Sequence, residues 1–244
     1  DVNDFMSLLA ADNRLPAHWE TFFHGIKTAG ALTDIHFSHH APVNQLWQQD
    51  ELSLNLVHVA ILPNEHYPGV VGLTGQLRFS PTHATVTLNT PAMDVVLPNF
   101  FNHPINAGHV NGSVTWNRYS DGSWTMVGNH LSAVNGNAAL YSNMTVTEAA
   151  AAKQPTINMV LGFHERDLTL IKQYLPRRLL HPKLTMWLDQ AFISAKPTTA
   201  VILWHGPLQR LPYLHKEGAF LFNIPIKNLT LSYDQAWPVV NGMQ

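Results

Sequence analysis

"GAFLFNIPIKNLTLSYDQAWP", residues 218–238, is the stretch whose reading decides the fold class. It reads as a strand, a kink and a second strand. Phe220, Phe222, Ile224 and Ile226 stand at every second position, then Leu229, Leu231 and Tyr233. A period of two puts side chains alternately on the two faces of a pleated strand. Asn223, Asn228, Thr230 and Ser232 therefore take the face opposite the apolar row. An apolar sheet face left to water is not stable, so the stretch asks what covers it.

The same alternation recurs upstream. Leu73, Leu77 and Phe79 share a parity, as do Val86 with Leu88, Val110 with Val114 and Trp116, and Trp124 with Met126. Ala138, Leu140, Met144 and Val146 make a further row, and Ile157, Met159, Leu161 and Phe163 another. The intervening "SPTH", "NHPINAG", "YSDGS" and "VNGN" include Asp-Gly and Asn-Gly pairs, which supply the positive φ angles of tight hairpins. The opposite parity is Thr85, Thr87, Asn89, then Asn111, Ser113, Thr115, Asn117, then Asn143, Thr145, Thr147. The pattern is an antiparallel meander with one wet face.

Composition supports this. Charged residues are 12% of 244, against roughly 25% in an average soluble domain, while the apolar fraction is 45%. Asn, Thr, Ser, Gln and His carry the polar side instead. A net charge of -2 gives no basic field for nucleic acid. Absence of Cys excludes disulfides, Fe-S clusters and thiolate zinc sites, and fits a reduced cytosol or an envelope compartment. No apolar run reaches the ~18 residues of a membrane span. The amino-terminal "DVNDFMSLLAADNRLP" lacks Met and a basic leader, so the chain reads as processed or excised, with any anchor outside it.

Helical periodicity is confined to about Leu15–Thr28, about Lys183–Ile193 and, more weakly, Asp167–Tyr174, while Glu148–Gln154 reads as a loop or a brief helix. The first two belong to a repeat. Residues 15–42 align with 180–207 at an offset of 165, and residues 52–73 with 222–243 at an offset of 170. The division expected is a helix-plus-strand unit over 1–70, an antiparallel β meander over 71–165, and a second helix-plus-strand unit over 166–244, an elongated or stacked arrangement in which each unit extends a shared core.

Roughly ten strands each present an apolar row, and two or three short helices cannot roof that area. Three remedies are available: a sandwich, a closed barrel, or an open trough completed by an apolar guest. The residues themselves leave all three open, within a mainly β, antiparallel fold that has one apolar sheet face and two or three short helices.

Catalytic signatures are missing. "HFSHH" clusters His36, His39 and His40, but alternation turns His39 away from the other two and no acid stands near, so surface histidines are the simpler reading. "HERDL" at His164 has Leu168 where a zincin helix needs its second His. There is no G-x-S-x-G elbow, Walker loop or G-x-G-x-x-G. Asn111, Asn143 and Asn228 begin N-x-[ST] triplets, which Asn/Thr-rich strands produce by composition alone. The chain is expected not to be an enzyme and to need no cofactor and no metal.

One resemblance is specific. "YLPRRLLHPKLTMWLDQAFISA" followed by "HGPLQRLPYLHKEGAFLFNIPIKNLTLSYDQAWPVVNGM" closely resembles the AsmA-like envelope proteins of Gram-negative bacteria, YhdP type. Its pieces here are Tyr174-Leu175-Pro176, Trp187-Leu188-Asp189, Gly206-Pro207-Leu208, Gly218-Ala219-Phe220, Leu231-Ser232-Tyr233 and Trp237-Pro238, and the similarity runs from Leu15 to Gln244. It implies a periplasmic β-trough, tethered to the inner membrane by a helix outside this chain, that conducts phospholipid toward the outer membrane. The fold class expected is therefore mainly β, a curved, elongated antiparallel sheet forming an open groove or half-barrel with two or three short helices, one continuous groove segment of a larger protein. None of the motifs is catalytic. The expected partners are phospholipid acyl chains and possible envelope proteins, with no nucleic acid. The expected lining is Leu73, Leu77, Val86, Leu88, Val114, Trp116, Leu140, Met144, Ile157, Met159, Leu161, Phe220, Phe222 and Ile224. The alternative is a structural or interaction β-sandwich module of the envelope without lipid transport.

Overall fold

The structure, a computed structural model, describes residues 1–4, 7, 27–39, 50–63, 68–136, 138–151, 154–164, 174–175, 177–178, 180–211, 213–234 and 236–243. Their strands are β1 (Thr28–Ser38), β2 (Glu51–Ile61), β3 (Gly69–Ser80), β4 (His83–Val96), β5 (Ile105–Arg118), β6 (Trp124–Asn135), β7 (Ala138–Glu148), β8 (Thr156–His164), β9 (Phe192–Pro197), β10 (Ala200–Pro207), β11 (Ala219–Asn223), β12 (Ile226–Leu231) and β13 (Val240–Met243). Ten form one antiparallel sheet in the order β1-β2-β3-β4-β5-β6-β7-β8-β10-β11, and the other three a small sheet in the order β13-β12-β9. The large sheet is curved and does not close, since β1 and β11 stand at its two edges. Among the described residues no second sheet of comparable size faces it, so the antiparallel sheet expected from periodicity forms, in the curved and open shape that the resemblance implies.

Most of the sheet is a meander because most of its turns are tight. Pro81-Thr82 joins β3 to β4, and between β5 and β6 Gly122 (φ 87°) donates to the Tyr119 carbonyl while Tyr119 donates to that of Ser123. β-Bulges interrupt several ladders. At one of them Thr90, fully buried on the apolar face, donates to the Thr74 carbonyl at 2.7 Å and accepts from the Thr74 amide at 3.0 Å. Ser142 likewise donates to the Val160 carbonyl at 3.0 Å. Both hydroxyls are thus satisfied by backbone, which removes the cost of carrying them on an apolar face.

Helix α1 spans Pro182–Ala191, one residue earlier at its start than expected, and Phe192 and Ile193 already belong to β9. His181 caps it through Nδ1, accepting from the Lys183 amide, and Pro182 follows at the first turn. Trp187 packs edge-on to Phe192 and Tyr233 and donates Nε1–H to the Tyr233 carbonyl at 2.9 Å, which pins α1 to the small sheet. A 3-10 turn covers Leu208–Arg210. Residues 15–26 of the first expected helix and 167–173 of the third lie outside the described residues, and Thr28 already opens β1. Glu148 closes β7 and is followed by a turn at 150–151, with 152–153 outside the described residues.

The two hairpins at the ends of the chain use the same pairings at the sequence offsets of 165 and 170. Ala31 faces Val57, Leu32 faces Leu56, and His36, Phe37 and Ser38 face Ser53, Leu52 and Glu51. Their counterparts pair identically: Lys196 with Lys227, Pro197 with Ile226, then Val201, Ile202 and Leu203 with Asn223, Phe222 and Leu221. Even the left-handed bulge residues correspond, His58 (φ 49°) and Asn228 (φ 52°). The second hairpin differs in being bent. Thr198 donates its amide and its hydroxyl to the Pro225 carbonyl at 3.0 and 3.2 Å, and beyond that point the ladder leaves the large sheet. Pro225 has no amide hydrogen to offer a ladder, which makes the break local to Ile224-Pro225. The strand-kink-strand reading of 218–238 is therefore right about the elements, but β11 and β12 serve different sheets.

Candidate functional site

Strand register carries one apolar row unbroken across the sheet. Leu54 faces Leu77, which faces Val86, then Val114, Gly128, Met144, Met159, Trp204 and Phe220, nine strands in sequence. A parallel row runs Leu52, Phe79, Ala84, Trp116, Met126, Val146, Ile157, Gly206. On the other side of the first, Leu161, Ile202 and Phe222 align, and beyond them Val110, Ala133, Leu140, Phe163 and Ala200. Side chains of adjacent strands in register stand ~5 Å apart, so these rows make a continuous hydrocarbon floor.

At the β2 end the floor is closed. Leu52, Leu54, Leu56 and Val59 are buried together with Val2, and Leu32, Ile61, Leu73, Leu77, Phe79 and Val86 pack against them. At the β10 end a strap crosses it. The β4–β5 loop, residues 97–104, brings Phe100 edge-on to Trp204 at 6.1 Å between ring centroids. β4 and β10 are five steps apart in the sheet, about 24 Å if it were flat. Phe100 lies four residues beyond Val96, a reach of about 13 Å. The two side chains and the gap between the rings make up the remainder, so the strap lies over the apolar face that carries Trp204, which we take as the inner side of the curved sheet.

Trp204 is the hub of this end. Phe220 packs edge-on to it at 5.9 Å, and its Nε1–H donates to the Tyr213 hydroxyl at 2.7 Å. The Tyr213 ring occupies the space left by Gly206 and Gly218, where a Cβ would come within 2.8 Å of it. Phe163 carries Tyr174 on top of it at 4.9 Å. Next to Tyr174, Arg177 makes a bidentate pair with Asp189 at 2.8 and 2.7 Å, and the bonding to Asp189 raises its pKa. Arg178 ties this segment to the strap, its amide donating to the Phe100 carbonyl at 3.3 Å and Nε to Asn102 Oδ1 at 3.0 Å.

The opposite face is polar over β3–β7. Thr85 and Thr115 hydrogen bond across strands at 3.2 Å, His83 Nδ1 meets Asn117 Oδ1 at 2.7 Å, and His109 meets Asn89 at 3.3 Å. His205 pairs with Asn158 in the same manner. From β8 onward this face changes character. Val160 (56% exposed), Leu203 (41%) and Leu221 (58%) form an apolar patch in an open depression of about 420 Å³ rimmed by Asn129, Asn143 and Asn158.

The fourteen expected lining residues divide by position. Leu88, Val114, Trp116, Leu140, Met144, Met159 and Leu161 lie half-buried on the floor, and Phe220 and Phe222 are exposed at its β11 edge. Leu73, Leu77 and Val86 belong to the closed core at β2, and Ile157 is buried. Ile224 stands outside β11, at the bend. The expectation omitted Trp204, because β10 is apolar at both parities (Val201, Leu203 against Ile202, Trp204), which hides a period of two. It also omitted Phe100, a loop residue with no periodicity to betray it.

Among the described residues no three His, Asp or Glu side chains converge to hold a metal, and no helix is long and apolar enough to cross a membrane. His39 Nδ1 stands 2.7 Å from the buried Asp50, and His36 bonds the Asp34 carbonyl at 2.9 Å; His40 lies outside the described residues. What this arrangement offers chemically is a greasy trough with a polar back.

Comparison with known proteins fits that geometry. The chain is 20% identical over 176 residues to the intermembrane phospholipid transporter YhdP of Escherichia coli (strain K12), a match covering 72% of this chain and 14% of that protein. No solved structure matches the chain significantly. The family model described as YhdP protein matches residues 1–244, the whole length, and the chain belongs to the YhdP protein family.

Proposed function

We propose that this chain is a segment of an envelope-spanning conduit that holds phospholipid acyl chains on its concave floor and supports their passage between the inner and outer membranes. The observation that carries the reading is the unbroken register from Leu54 to Phe220, apolar on one face and Asn/Thr-rich behind. Each acyl CH2 taken from water to such a floor contributes about 0.8 kcal/mol, so even one chain is held by several kcal/mol without any catalytic group. In this reading the segment works in the periplasm, its tether lies in another part of the protein, movement is passive sliding, and no reaction or cofactor is involved. A match to a named intermembrane phospholipid transporter supports it.

Native mass spectrometry of gently purified protein tests it. Co-purified phospholipid is expected; a protein that carries none and also ignores an added fluorescent phospholipid overturns the proposal.

A second reading, an envelope interaction module, is favoured by one feature, the exposed Val160–Leu203–Leu221 patch on the convex side. Leu203→Asp separates the two. It leaves lipid occupancy unchanged under the conduit reading and abolishes partner binding under the other.

A further inference from the structure

We propose that Arg178 is a head-group station, its guanidinium holding the phosphate of a phospholipid whose chains lie on the floor beneath the strap; this rests on the conduit reading above. Two neighbouring arginines are used differently. Arg177 spends its fork on Asp189 through both terminal nitrogens. Arg178 is anchored through Nε alone, to the neutral Asn102, and makes no ion pair among the described residues. Its two terminal amino groups make no hydrogen bond among the described residues, on a side chain that is exposed and tethered at one nitrogen.

A guanidinium held in this way meets an oxyanion bidentately, and the ordering cost is largely met before the ligand arrives. The surroundings favour an anion. The two segments that Arg178 joins, residues 97–104 and 177–183, contain no acid; Arg177 is neutralised by Asp189, which leaves Arg178 and Lys183 as the cations outside that pair. The position is specific too. The Arg178 amide bonds the carbonyl of Phe100, whose ring rests on Trp204, and its Nε bonds Asn102 two residues on, so the guanidinium is held at the strap beside the segment that touches the floor. A ligand that is apolar at one end and carries a phosphate ester at the other matches both parts of this site.

The test measures binding of the whole chain to three probes: phosphatidylglycerol, a diacylglycerol with the same fluorescent acyl chains, and sn-glycerol 3-phosphate. Arg178→Ala is expected to weaken phosphatidylglycerol about tenfold and leave diacylglycerol unchanged, with Arg178→Lys in between because it keeps charge but loses the fork. If wild type binds both lipids and Arg178→Ala binds them equally well, the station is overturned and the conduit stands. If wild type binds neither lipid, both fall. Glycerol 3-phosphate binding as tightly as phosphatidylglycerol, with the same dependence on Arg178, assigns the site to soluble phosphate esters and overturns the lipid assignment. Arg178 is exposed, and circular dichroism of each variant separates a binding effect from a folding one.

Discussion

Phe100 meets Trp204 edge to face although β4 and β10 are five strands apart, and that single contact ties the β4–β5 strap across the sheet to its far end. Aromatic pairs of this geometry are coupled by ~1 kcal/mol beyond the area they bury. A double-mutant cycle on Phe100→Ala and Trp204→Ala, read by urea unfolding, should return a coupling of about that size. A coupling near zero would mean that the strap stands open in solution and that the concave shape is not held by it.

Leu88 and Thr87 are neighbours on opposite faces, Leu88 half-buried on the floor and Thr87 exposed on the polar back. Leu88→Asp should cost about 2–4 kcal/mol and empty the floor of co-purified lipid. Thr87→Asp should change stability by no more than ~0.5 kcal/mol and leave occupancy as it was. Equal occupancy in the two variants, by mass spectrometry, would place the cargo on the wrong face.

Two glycines make a matched pair for backbone approach. A Cβ on Gly75 would sit 2.2 Å from the Thr87 carbonyl oxygen, which a ladder cannot move aside, whereas one on Gly162 meets nothing closer than 3.9 Å. Gly75→Ala is expected to destabilise by about 2–3 kcal/mol, and Gly162→Ala to gain about 0.5–1 kcal/mol from its stiffer strand. Denaturant midpoints of the two variants should therefore move in opposite directions.

Asp121 closes the β5–β6 turn by accepting from the Ser123 hydroxyl at 2.6 Å and the Ser123 amide at 2.9 Å. These bonds hold its carboxyl below the usual value of 3.8, the hydroxyl contributing most. A depressed folded pKa contributes stability above the unfolded value and loses it as pH falls through the folded one. The turn should accordingly loosen only in acid, below the ordinary carboxylate range. An NMR titration of the Asp121 carboxyl should show an upward move in Ser123→Ala; an unchanged titration would discount the hydroxyl.

Much of the floor was legible because a half-buried strand must alternate. Val86, Val114, Met144 and Met159 could be assigned to one face from parity alone, and the Asp-Gly turn at Asp121-Gly122 fixed one hairpin. The repeat could be aligned because its two copies share pairing partners, down to the bulges at His58 and Asn228. Other features were not legible, for reasons of distance and chemistry. Phe100 and Trp204 meet across five strand steps of the sheet, which no local pattern encodes. β10 is apolar on both sides, so its parity carries no information about which side is the floor. Pro225 marks a break, but which sheet each half then joins depends on β13, a strand of four residues with no strong signal.

The bend at Pro225 has a consequence for width. β2 contributes eleven residues to the large sheet and β11 only five, a change from about 37 Å to about 17 Å along the strands. The large sheet therefore tapers, broad at the closed core of Leu52, Leu54, Leu56 and Val59 and narrowed to Phe220 and Phe222 at its far edge. In the proposed conduit, an acyl chain lying askew over the longer strands would have to straighten to pass the two phenylalanines, so this lip would set orientation more than affinity.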